Sequence, residues 1–114
     1  MNIIKDKQIK EICKLIILRL SYKQPMSSSF GYRNIFLNSL GLIVNESLLV
    51  EELEHEKMVI HEGIFENSNF YKNISTTEKG KKYFLENINK ISIPTDDLSL
   101  KIDKIKMYLG IDNL

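Results

Sequence analysis

One stretch, Tyr71 to Ile91 (YKNISTTEKGKKYFLENINKI), limits what the rest of the chain can be, because it reads as a β-strand turning straight into a helix. Tyr71, Asn73 and Ser75 alternate with Lys72 and Ile74, the two-residue rhythm of a strand. Thr77 then stands where a helix needs an N-cap, its hydroxyl placed to accept from a backbone N–H one turn in. Ser75 with Glu78 also has the capping-box spacing, so the cap falls at one position or the other. Tyr83, Phe84, Ile88 and Ile91 share one face of the helix, with Lys79, Lys81, Lys82 and Glu86 largely off it. Gly80 is a poor helix former in a first turn, and close approach of another backbone is the usual reason for one.

The run Ile74-Ser75-Thr76-Thr77-Glu78-Lys79-Gly80, followed by Leu85, resembles the element by which the wing of small prokaryotic winged-helix domains returns to their last core helix. That resemblance requires three helices and a hairpin upstream. From Lys7 to Leu20, Ile9, Ile12, Cys13, Ile16, Ile17 and Leu20 follow helical spacing. Leu15 and Leu18 add apolar surface on the other side, so the helix is either central to the domain or shared with a second subunit. Tyr22 to Ser29 reads as a connector. Phe30 to Leu40 forms a second helix with Tyr32, Ile35, Phe36, Ser39 and Leu40 inward, ended by Gly41. Leu42-Ile43-Val44 makes the turn. Asn45 caps a third helix, Glu46 to Lys57, with Leu49, Leu53 and Leu48 inward and Glu46, Ser47, Val50, Glu51 and Glu54 outward. Met58 to Gly63 is a strand and Ile64 to Phe70 the hairpin tip.

Beyond Ile91, Pro94 blocks continuation and Thr95 caps a last helix, Asp96 to Leu109, stopped by Gly110. Leu98, Ile102, Ile105 and Leu109 step by helical intervals along one seam, which packs on the chain's own core or against a second copy. The expected fold is therefore α+β, mostly α: a winged helix-turn-helix in residues 1–91, with a three-helix bundle and a two-stranded wing, and a C-terminal helix in residues 92–114 as a dimerisation element. For a homodimer the candidate interface residues are Leu15, Leu18, Leu98, Ile102, Ile105 and Leu109.

Lys14-Leu15-Ile16-Ile17-Leu18, Pro25-Met26, Leu49 to Leu53, the Thr-Glu-Lys-Gly element and Ile93-Pro94 are similar to an uncharacterised winged-helix family of low-GC Gram-positive bacteria. The order of elements also resembles the PadR-like regulators, although the Tyr and Arg those carry around the third helix are missing. Both resemblances imply a transcriptional regulator that binds double-stranded DNA. Small phage and plasmid partition adaptors share the architecture.

Charge qualifies that expectation. The chain has 114 residues and a net charge of +1, with no nucleic-acid signature as a whole. Residues 1–44 hold seven basic and two acidic side chains, residues 45–71 one and seven, and residues 72–90 five and two. Glu46, Glu51, Glu52, Glu54 and Glu56 on the third helix would be repelled by phosphate, so insertion along its whole length is not expected. A tip-on contact remains, with Asn45 and Ser47 at the helix start, Asn67 and Asn69 in the wing, and Arg33, Lys72, Lys79, Lys81 and Lys82 for the backbone. The competing reading is a protein-interaction module that docks a basic partner.

No enzyme, cofactor or metal is expected. His55 and His61 fall on different elements, Cys13 lies on an apolar stripe, and no phosphate loop or catalytic set occurs. Tyr22, Phe30, Tyr32 and Phe36 are explained as core packing more simply than as a ligand pocket. One cysteine, the absence of an export signal in MNIIKDKQIKE and no apolar run of membrane length together point to a cytoplasmic protein with no membrane partner.

Overall fold

The core is built around α1, Ile3–Leu20, in a computed structural model that describes residues 3–94 and 100–111. Ile12, Cys13, Leu15, Ile16, Ile17 and Leu18 point to more than one side of the helix, and all six are buried. The layers around α1 are α3 (Glu46–His55), α4 (Glu78–Asn87), α5 (Ile102–Leu109) and the strand β3 (Lys72–Thr76). The chain is thus α+β and mostly helical.

That packing gives most of the candidate interface residues a place inside a single copy. Leu15 and Leu18 are covered within a single copy, because the second apolar face of α1 meets the chain's own elements. Ile105 and Leu109 are buried on the same core and Ile102 is half-buried, so the seam of α5 closes on α1. Leu98, with Thr95 to Asp97, lies outside the described residues. Leu100 and Lys101 precede α5, which therefore starts at Ile102. The Arg19 guanidinium donates to the Tyr108 carbonyl at 3.1 Å, and Ser39 and Tyr108 share a hydroxyl contact at 3.0 Å.

The connector of the sequence reading contains a strand, β1 (Met26–Ser28), so the sheet has three strands instead of two. The run Met-Ser-Ser lacks the β-branched and aromatic residues that mark strands, which is why it reads as coil. Its partner is β3, with Met26 opposite Ile74 and Ser28 opposite Lys72. On the other side of β3 lies β2 (Val59–Ile60), Val59 facing Thr76 and Ile60 facing Ser75. The same antiparallel register returns at the Ile64–Tyr71 bridge, so the chain from Met58 to Thr77 doubles back as a hairpin.

Between the sheet and α3, the helix α2 (Phe30–Asn34) widens into a π-turn over Ile35–Ser39, the Leu40 N–H reaching the Ile35 carbonyl at 2.9 Å. Tyr32, Phe36 and Leu40, spaced by four, are all buried. A wider turn offsets the drift that steps of four accumulate on an α-helix, which keeps the three in line. Asn45 caps α3 as its sequence requires, accepting from the Leu48 N–H at 3.1 Å. The inner face of α3 is Glu46, Leu49, Val50 and Leu53, an i, i+3, i+4, i+7 set. Val50 is therefore inward and Leu48 outward, the reverse of the sequence reading.

At the far end of the hairpin, Thr77 caps α4. Its hydroxyl accepts from the Gly80 N–H at 3.1 Å and donates to the Lys57 carbonyl at 2.7 Å. A side chain at Gly80 would place its Cβ 2.3 Å from the Met58 carbonyl oxygen. The close backbone approach that Gly80 implies is thus present, and it seats α4 on the end of α3.

Candidate functional site

The N-terminus of α3 and the hairpin tip face each other across a cleft of about 760 Å³. Arg33 enters it from α2, Asn45 and Ser47 from the start of α3, and Asn67 and Asn69 from the tip. Local bonding fixes this arrangement. The Ser47 hydroxyl donates to the Asn69 carbonyl at 2.9 Å, tying helix to hairpin. Buried Ser29 makes a second tie, its N–H donating to the Tyr71 carbonyl at 3.0 Å and its Oγ accepting from the Tyr71 N–H at 2.9 Å. The tip is a turn closed by the Phe65 N–H on the Phe70 carbonyl, with Asn67 at φ 58°, a conformation asparagine tolerates.

Five of the nine nucleic-acid candidates therefore converge. Lys72 lies on β3 beside the tip, its ammonium 5.4 Å from the centre of the Phe65 ring. Lys79, Lys81 and Lys82 do not join them. They sit in the first turns of α4, at the base of the hairpin beside the Val59–Thr76 pair. Five strand positions separate that base from the Ile64–Tyr71 bridge, roughly 16 Å at strand rise. Lys81 instead lies over the Tyr22 ring, 4.7 Å from its centre, and Lys82 reaches Glu86 at 4.0 Å. The expectation that all the lysines gather at one end of the helix-turn-helix is corrected, because the hairpin's length divides them into two groups.

The acidic load of α3 is partly absorbed inside the chain. Glu46 is buried, Glu54 contacts His61, and Glu52 takes Lys10 at 3.0 Å and Lys14 at 3.4 Å from α1. His61 Nδ1 accepts from the Gly63 N–H at 2.9 Å, so its ring proton belongs on Nε2, the atom facing Glu54. Glu51 stands exposed in the cleft, and its charge, with that of Glu54, adds to burial in pushing the Tyr71 phenol upward. The cleft is therefore polar and mildly negative, apart from Arg33. The sequence reading missed the apolar share of this surface: Leu48 is 47% and Ile64 50% exposed.

Glu52 gives a pH prediction. The Lys10 hydrogen bond, supported by Lys14, holds its carboxyl below the ordinary 4.5, against burial that pushes the other way. A carboxyl depressed in the fold stabilises above its ordinary value and stops doing so as pH falls through the folded one. Glu52→Gln should therefore cost up to about 1 kcal/mol at pH 7 and less at about pH 3, the gain being small for a solvent-screened pair. Urea midpoints for both chains at the two pH values measure this. An equal gap at both would assign the effect to packing.

Among the described residues no group of His, Cys, Asp and Glu could hold a metal ion. Burial pushes the Cys13 thiol up to about 12, so it stays protonated and inert. No helix among them is long and apolar enough to cross a membrane. Neither a protein-family model, nor a curated protein, nor a solved structure matches the chain.

Proposed function

We propose that the chain is a winged helix-turn-helix protein that binds double-stranded DNA as a transcriptional regulator. Two arrangements support the fold: helix, strand, two helices, hairpin and helix in that order, and a sheet in which β3 lies between β1 and β2. The observation that carries the function is the convergence of Arg33, Asn45, Ser47, Asn67 and Asn69 on one cleft beside a helix N-terminus. Arg33 offers a guanidinium fork, and the two exposed tip asparagines offer amides that both donate and accept. Contact is made end-on, by the first turn of α3 with the hairpin tip, since Glu51 and Glu56 keep the rest of α3 from phosphate. Lys79, Lys81 and Lys82 then form a separate backbone contact, one that tolerates any sequence.

Fluorescence anisotropy on duplex DNA tests this. Arg33→Ala combined with Asn67→Ala should weaken binding at about 50 mM salt by roughly tenfold or more, the scale of 1–3 kcal/mol per contact. Lys79→Ala with Lys82→Ala should lower affinity about equally on all sequences and flatten the salt dependence. No binding of the unaltered chain at low salt rejects the proposal.

One observation favours a second reading. Leu48 is exposed one turn before Glu51 on α3, and Ile43 is exposed in the loop that leads into that helix, apolar and acidic surface suited to a basic, partly apolar protein. DNA binding absent at low salt would leave that reading standing.

A further inference from the structure

Two exposed apolar features lie at opposite ends of the hairpin. At the tip, Ile64 is exposed and Phe65 is 40% exposed next to Glu66, with the Lys72 ammonium 5.4 Å from the ring on its other side, and residues 61–72 hold two carboxylates against that one cation. At the base, α1 and α4 enclose a groove of about 550 Å³ whose apolar part includes Leu20, Phe84 and Leu85, the last 58% exposed. Its rim is cationic, with Arg19, Lys23 and Lys81. Residues 19–24 carry two cations and no acid, and residues 78–82 three cations against Glu78. An aromatic side chain next to a carboxylate has the chemistry this groove would take.

We propose that the hairpin tip of one copy of this chain docks into the α1–α4 groove of a second copy, Phe65 entering the apolar floor and Glu66 meeting Lys23 and Lys81. The hairpin holds tip and groove apart within one chain, so neither can satisfy the other internally. The contact is head-to-tail, each copy keeping a free tip and a free groove, and assemblies grow into rings or open chains instead of closing as two-fold pairs. It does not rest on the DNA reading. Since Asn67 and Asn69 share the tip, duplex DNA and a second copy exclude each other there.

Sedimentation equilibrium of the whole chain, without DNA, tests this. At low salt the average mass should exceed that of a single chain and climb with concentration, and the association should weaken at least tenfold at about 1 M salt. Phe65→Ala should weaken it at least tenfold. Glu66→Lys alone and Lys23→Glu with Lys81→Glu alone should each abolish it, and mixing these two variants should restore it. Circular dichroism and thermal melting verify that each variant is folded. A single-chain mass at all concentrations to about 1 mM overturns the proposal. So does association that Phe65→Ala leaves intact, or a charge-reversed mixture that stays dissociated.

Discussion

Gly80→Ala should destabilise the fold by about 3 kcal/mol, although alanine is much the better helix former. Helix propensity alone favours the substitution by up to about 1 kcal/mol. Against it, the new Cβ falls 2.3 Å from the Met58 carbonyl oxygen and 2.8 Å from Thr76 Cγ2. Neither neighbour is free to give way. The Met58 oxygen already accepts the Thr77 N–H at 2.9 Å, and the Thr76 hydroxyl donates to the Leu18 carbonyl at 2.7 Å. Relief therefore means lifting α4 from the end of α3, which breaks the packing that sets the helix, a cost of the overpacking kind. Lys79→Ala, one residue away and exposed, is the control and should move stability by no more than about 0.5 kcal/mol. Urea unfolding of the three chains decides it. A Gly80→Ala chain as stable as the original would mean that α4 does not sit where the backbone approach places it.

Tyr32 carries the second large effect. Its ring is fully buried and stacked on Phe36 with centroids 6.0 Å apart. Its hydroxyl donates to the Ile17 carbonyl at 3.1 Å and contacts the buried Ser21 hydroxyl, which supplies the other proton. Ser21 in turn accepts the Thr76 N–H on its carbonyl at 2.9 Å, so one small polar knot joins α1, α2 and β3. Tyr32→Ala should cost about 3–5 kcal/mol, the range for losing a buried aromatic and leaving a cavity. Tyr32→Phe keeps the ring and should cost about 1–3 kcal/mol, since it strands the Ser21 hydroxyl. Ser21→Ala in the Tyr32→Phe background should then add little, because the partner is already gone. Burial also pushes the Tyr32 phenol well above its ordinary 10, more than the Ser21 contact lowers it. A proton held more tightly in the fold stabilises fully below pH 10, and that gain disappears as pH rises toward the folded value. Alkaline unfolding of the original chain should therefore be steeper with pH than that of Tyr32→Phe. Parallel pH profiles would contradict this.

Features decided within a few residues of chain were legible from sequence. The caps Asn45 and Thr77 and the meaning of Gly80 depend on local geometry, and each has the predicted role. Gly110 likewise ends α5 with positive φ. What depended on distant partners was not legible. Leu15 and Leu18 look like a spare face until α3, α4, α5 and β3 are seen to surround α1. Met26–Ser28 is a strand only because β3 is there to pair with it. The candidate site divides in the same way. Asn45, Ser47, Asn67 and Asn69 meet because helix and hairpin are bonded together, whereas the lysines of α4 were grouped with them by charge alone.

The two serine ties at the outer end of the hairpin have a mechanical result. A loop projecting from a small sheet would ordinarily swing about its base, but Ser29 and Ser47 pin this one to the starts of α2 and α3. The tip is therefore coupled to both helix starts, and a pull on it is shared with them instead of being absorbed by the loop alone.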